Sequence, residues 1–141
     1  MTSSVDDMNE NEGITHESVD EFFARYAGAL SAVDLDELSR CYLYPSLSVS
    51  RSGTLAITDP GMTRAFFQQN AARYKDAGID AVRIRNLRAS YDEDGVWIGL
   101  ADLENLDANG DHVGSELNAY QLVAGDGRWA IAVTSPLDAR A

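Results

Sequence analysis

DAVRIRNLRASYDEDGVWIGLADLENLDANGDHVGSELNAYQLVAGDGRWAIAVTS, residues 80–135, is the stretch on which the fold turns. Apolar and polar residues alternate over about 80–91, 95–106, 112–124 and 128–135, the period of half-buried strands. Between these segments lie Asp94-Gly95, Asn109-Gly110 and Asp126-Gly127, pairs that accept the positive φ angles of tight hairpin turns. Connections this short join antiparallel neighbours, so the four segments predict a curved antiparallel sheet. In 95–106, Val96, Ile98, Leu100, Asp102 and Glu104 share one face, and Trp97, Gly99, Ala101, Leu103 and Asn105 the other. In 112–124, Glu116, Asn118, Tyr120 and Leu122 lie opposite Val113, Leu117, Ala119, Gln121 and Val123. Both faces are partly apolar, which predicts helices on one and a second copy on the other, a homodimer through the convex sheet face.

Upstream the period changes to that of a helix. Val19, Phe22, Phe23, Tyr26, Leu30 and Val33 mark one helical face, and Ser18 with Glu21 forms a capping box at its start. Asp34 with Glu37 opens a short second helix that carries Leu35, Leu38, Cys41 and Tyr42 and is stopped by Pro45. Residues 47–51 and 54–58 read as two short strands around Ser52-Gly53. Asp59-Pro60 is an N-cap followed by a first-turn proline, so a third helix is predicted to about Ala77, burying Phe67, Ala71 and Tyr74. Residues 1–14 are acidic, polar and aperiodic, a disordered tail ahead of a single domain over 15–141. The fold class expected is α+β, a curved antiparallel sheet packed on three N-terminal helices.

The 141 residues include 23 acidic and 11 basic side chains, a net charge of −12 that repels nucleic-acid phosphates and anionic lipid surfaces. Apolar runs fall far short of the roughly 20 residues of a bilayer span, and no basic-then-apolar leader is present, so a cytoplasmic location is expected. The single cysteine, Cys41, excludes an intrachain disulfide and reads as a core residue. Residues 105–111 with Glu116 approach a calcium-loop pattern, including Gly110 at its sixth position. Asn105 stands at the first position, however, His112 replaces an apolar residue, and the flanks alternate as strands, so a hairpin turn accounts for the same residues. His16 and His112 lack ligand spacing, and no nucleophile elbow, phosphate loop or dinucleotide glycine pattern occurs. No metal and no cofactor are assigned.

The order of elements, the segment ARYAGALSAVDLD at 24–36 and the segment GRWAI at 127–131 resemble the nuclear transport factor 2-like superfamily, which includes SnoaL-like and ketosteroid-isomerase-like proteins. The resemblance spans about residues 18–137 and implies a cone-shaped α+β barrel enclosing an apolar pocket. It places Tyr26 on the tyrosine that donates to a substrate oxyanion in the isomerases. Asn118 falls where that family carries a second donor, an aspartic acid, and its amide can still donate. The family's general base aligns at about Ser50, and a serine cannot remove a carbon-bound proton without an activating base. Asp102 is then the remaining carboxylate candidate, placed by the same alignment on the concave face. Tyr44, Tyr120 and Trp129 are expected to line the walls. The partner implied is a hydrophobic small molecule, with no nucleic acid and no membrane. Three classes fit: a cofactor-free isomerase, cyclase or dehydratase acting at a carbonyl, a ligand-binding module without turnover, and a dimerisation or adaptor domain.

Overall fold

The structure is a computed structural model that describes residues 17–140, with side chains described to residue 137. The tail expected at 1–14 and His16 lie outside the described residues. Ser18 Oγ accepts the Glu21 N–H at 3.0 Å and Glu21 Oε1 accepts the Ser18 N–H at 2.8 Å, a reciprocal cap that starts α1, Val19–Ala32. Phe22, Phe23, Tyr26, Ala27, Ala29 and Leu30 are its buried residues. Val33 leaves the stripe assigned to it. It is the C-cap, 46% exposed, with φ at 53°. A β-branched side chain crowds its own backbone in that left-handed region, where glycine does not. Val33→Gly is therefore expected to stabilise the fold by about 1 kcal/mol, read as a melting temperature a few degrees higher. An unchanged or lower melting temperature would refute this.

Asp34 caps α2, Leu35–Arg40, and Asp59 caps α3, Pro60–Asp76, by accepting the Met62 N–H at 3.0 Å. The buried stripe of α3 is Thr63, Phe67, Asn70 and Tyr74, whereas Ala71 is only half-buried. The helix is rotated so that this i, i+4, i+7, i+11 row, two members of which are polar, faces the sheet.

The six strands are β1 (Tyr42–Ser50), β2 (Gly53–Ile57), β3 (Ala81–Glu93), β4 (Val96–Leu106), β5 (His112–Ala124) and β6 (Trp129–Arg140). Tyr42, expected at the end of the second helix, opens β1 instead, because the Cys41 carbonyl accepts the Ile131 N–H at 2.7 Å and ties the chain to β6. The sheet order is β2-β1-β6-β5-β4-β3. The turn between β3 and β4 has positive φ at both Asp94 (57°) and Gly95 (74°), as a two-residue hairpin of this twist requires.

One feature corrects the expected sheet. β1 runs parallel to β6, with Ser48 opposite Thr134, so the sheet is mixed. Hairpin turns dictate direction only between consecutive strands, and β1 meets β6 from the far end of the chain. Among the described residues β2 and β3 are the edges of the sheet, which forms the curved wall expected of the fold. Trp97, Ala101 and Leu103 point inward and are buried, and Phe23 of α1 packs edge-on against Trp97 (5.5 Å between centroids) and Tyr120 (5.3 Å). The Val82 N–H donates to Ser31 Oγ at 2.9 Å, docking α1 on β3. Cys41 is fully buried, and burial pushes its thiol up to about 11, in keeping with a core residue. Among the described residues no helix is long and apolar enough to cross a membrane, and no group of His, Cys, Asp and Glu could hold a metal ion.

Candidate functional site

A cavity of about 390 Å³ lies between α1, α3 and the concave side of the sheet. The buried row of α3 brings Thr63, Phe67, Asn70 and Tyr74 to one wall. Alternation along β5 brings Glu116, Asn118 and Tyr120 to the opposite wall. Leu30, Ile57, Leu103 and Leu137 supply apolar surface, and Leu55 and Phe66, each 57% exposed, extend it outward as an apolar rim.

One polar group of the cavity is a chain of tyrosine hydroxyls. Tyr26 Oη lies 3.1 Å from Tyr42 Oη, Tyr26 also bonds Tyr120, and Asn118 Nδ2 donates to Tyr120 Oη at 3.2 Å. Burial raises the Tyr26 and Tyr42 phenols well above their ordinary value, and the nearby Tyr120 adds to both shifts, although the hydrogen bond with Tyr26 pulls Tyr42 the other way. Burial likewise pushes Tyr120 up to about 12, although hydrogen bonds from its neighbours pull the other way. All three phenols are therefore un-ionised donors at neutral pH. The two tyrosine–tyrosine contacts use two of their three protons, which leaves one for a ligand or for Thr134, which also bonds Tyr120.

The second polar group centres on a carboxylate. Glu116 Oε2 accepts from Tyr74 Oη at 2.6 Å and from Asn105 Nδ2 at 3.2 Å. Burial raises the Tyr74 phenol, and the negative charge of Glu116 adds to the shift. Arg73, on the rim of the same cavity, donates to Asn70 Oδ1 and lies 5.9 Å from the Tyr74 ring centroid.

Sequence comparison matches residues 16–139 to a family described as NTF2-like protein (DUF6841). The chain belongs to this NTF2-like family. A search of curated proteins finds no match. Among solved structures, a Mycobacterium tuberculosis protein of unknown function is similar at 18% identity and a TM-score of 0.60, covering 82% of this chain. The NTF2-like chain spans 66% of that protein's length. An NTF2-like protein with a cystatin-like fold from Novosphingobium aromaticivorans gives 13% identity and a TM-score of 0.64, covering 84% of this chain and 77% of that one. Aln2 from a Streptomyces species gives 15% identity and a TM-score of 0.63, with 85% of each chain covered. At these identities the likeness is one of fold.

Within the NTF2-like chain, Tyr26, Asn118 and Tyr120 meet in the cavity. Four other residues expected at the site lie elsewhere. Asp102 sits on the outer face of β4 and is held by Arg85, whose Nη2 lies 3.1 Å from Oδ2 and 3.3 Å from Oδ1. Its strand parity groups it with Ile98 and Leu100, and the inward packing of Trp97, Ala101 and Leu103 turns that set outward. Ser50 is exposed at the β1–β2 turn, 3.0 Å from Ser52 Oγ, and Ser48, two residues earlier, lines the cavity instead. Tyr44 Oη donates to the Ser39 carbonyl at 2.7 Å and lies 2.9 Å from Thr63 Oγ1, bracing α3 behind the cavity wall. Trp129 is buried away from the cavity, its Nε1–H donating to the Glu17 carbonyl at 2.9 Å.

Tyr42, Tyr74, Asn70 and Glu116 were not assigned to the site from sequence. Glu116 shares its strand face with Asn118 and Tyr120, and Asn70 is a polar residue three positions from Phe67 on the buried side of α3. Those two spacings carried the signal.

Proposed function

We propose that this chain binds a mainly apolar small molecule through a carbonyl or hydroxyl oxygen seated against Tyr26, Tyr42, Tyr120 and Asn118. The observation that carries the reading is a cavity of about 390 Å³ with apolar walls and convergent neutral donors, the size and composition of a small-molecule site. An adaptor domain has no need of such a space, and core side chains normally fill it. Where the bound oxygen gains negative charge during a reaction, the same donors would stabilise it, which suits a cofactor-free isomerase, cyclase or dehydratase step.

A thermal-shift screen with sterols, aromatic polyketides, terpenoids and fatty acids tests this proposal. A ligand at 100 times its dissociation constant adds about 2.7 kcal/mol, a rise of roughly 4 °C or more. Tyr26→Phe and Asn118→Leu should each weaken such a ligand about three- to tenfold, as expected for one lost neutral hydrogen bond. A hit that neither substitution weakens would place the ligand elsewhere, and silence across the panel would count for the adaptor reading.

A further inference from the structure

Among the described residues Glu116 is the only acidic side chain lining the cavity, whose lining also includes six aromatic residues, Tyr26, Tyr42, Phe66, Phe67, Tyr74 and Tyr120. Both hydrogen bonds to its carboxylate, from Tyr74 and Asn105, come from neutral donors and reach the same oxygen, Oε2. Among the described residues no hydrogen bond reaches Oε1. Among the described residues no ion pair joins Glu116 to Arg73, whose guanidinium is exposed and engaged by Asn70.

A carboxylate of this kind constrains the ligand. When an apolar molecule enters, it strips water from Glu116, and a charge desolvated without a partner opposes binding. A neutral ligand leaves that penalty standing. A ligand cation removes it by a charge-assisted hydrogen bond to Oε1, and an aromatic lining suits the same charge. The net charge of −12 favours approach of a cation over an anion.

On the reading that the cavity is a ligand site, we infer that its ligand carries a protonated amine that pairs with Glu116 while an oxygen at its other end meets the tyrosine hydroxyls. The two anchor points are close enough for one small molecule, since Glu116 and Asn118 are two residues apart on one strand face, about 7 Å. Ligand class is thus set by Glu116, and ligand orientation by the distance between the carboxylate and the hydroxyl chain.

The test is a matched pair of probes, 5-hydroxytryptamine and 5-hydroxytryptophol, which share a hydroxylated indole and differ in an ammonium against a hydroxyl. Isothermal titration at pH 7 should show the amine binding at least about tenfold more tightly to the wild-type protein. Glu116→Gln, which keeps an acceptor for Tyr74, should bring the two affinities together by weakening the amine alone. The wild-type comparison decides by itself should E116Q fail to fold. If the alcohol binds as tightly as the amine, or E116Q keeps the preference, the amine assignment is overturned while the cavity reading stands. Binding of neither probe at millimolar concentration overturns the amine assignment, and the thermal-shift panel then decides the cavity reading separately.

Discussion

Arg25→Met is expected to lower stability at neutral pH by about 3 kcal/mol, or roughly 10 °C in melting temperature. Arg25 is the hub of an ion network that closes one end of the molecule. Its Nε and Nη2 bond both oxygens of Glu17 at 2.8 and 2.9 Å, and its Nη1 bonds Glu37 Oε2. Arg128 also bonds Glu37 Oε2 at 2.8 Å, and the Trp129 N–H donates to Glu17 Oε1 at 3.0 Å, so the network joins α1, α2 and the start of β6. The side chains of Arg25, Glu17 and Glu37 are 24%, 14% and 19% exposed, too enclosed for water to replace the lost partner fully. Methionine keeps a hydrocarbon stem but removes the guanidinium that lies 5.1 Å from the Phe22 ring centroid and the hydrogen bonds it gives to Glu17 and Glu37. The estimate sits at the low end of the range for breaking a buried pair because Arg128 remains beside Glu37.

The same network predicts the pH dependence. Burial on its own would raise both carboxyls, yet the hydrogen bonds and charges of Arg25 and its neighbours outweigh it and hold Glu17 and Glu37 below their ordinary value of 4.5. A carboxyl depressed in the folded state adds stability that is present above its unfolded pKa and lost as pH falls through its folded pKa. The gap between wild type and Arg25→Met should therefore be widest near pH 7 and shrink as pH drops below 4.5 toward the folded values. Urea denaturation at pH 7 and pH 3 measures it. A gap under 1 kcal/mol at pH 7, or one unchanged at pH 3, would show that the network contributes little.

Gly99→Ala is expected to cost about 2–3 kcal/mol despite adding one methyl group. A Cβ built at Gly99 would lie 2.4 Å from the Arg88 carbonyl oxygen, 2.9 Å from Ala89 Cα and 2.8 Å from Trp97 Cη2. Two of these are backbone atoms of the neighbouring strand, and the third belongs to a tryptophan only 3% exposed, so none can swing aside. The pairing of β3 with β4 slips between Ala89 and Tyr91, beside this glycine, where the sheet bends over the helices. Gly28→Ala is the control. Its Cβ would meet nothing within 4 Å, and in the middle of α1 alanine should be neutral or stabilising by up to about 1 kcal/mol. Equal melting temperatures for the two variants would remove the steric argument.

Local chemistry made most of the elements legible. Ser18 with Glu21, Asp34 and Asp59 cap helices where their hydrogen-bonding side chains stand before an apolar run. The three Asp-Gly and Asn-Gly turns fall between strands within a residue or two of the expected ends. These signals act within a few residues, so no other part of the chain is needed to read them. Tyr26, Asn118 and Tyr120, expected together from the resemblance of the first helix and the parity of β5, line the cavity.

Other features depend on contacts between distant segments. The period of β4 separates Asp102 from Leu103 but leaves open which of two partly apolar faces turns inward. Packing of Trp97 on Phe23 settles that and sends Asp102 outward to Arg85. The parallel pairing of β1 with β6, the entry of Tyr42 into β1 and the convergence of Tyr74 on Glu116 likewise join residues far apart in sequence. Periodicity and turn chemistry are short-range properties, so the sequence by itself determined the elements and their faces. The inward face, the strand order and the place of Glu116 were decided only when helices and sheet packed together.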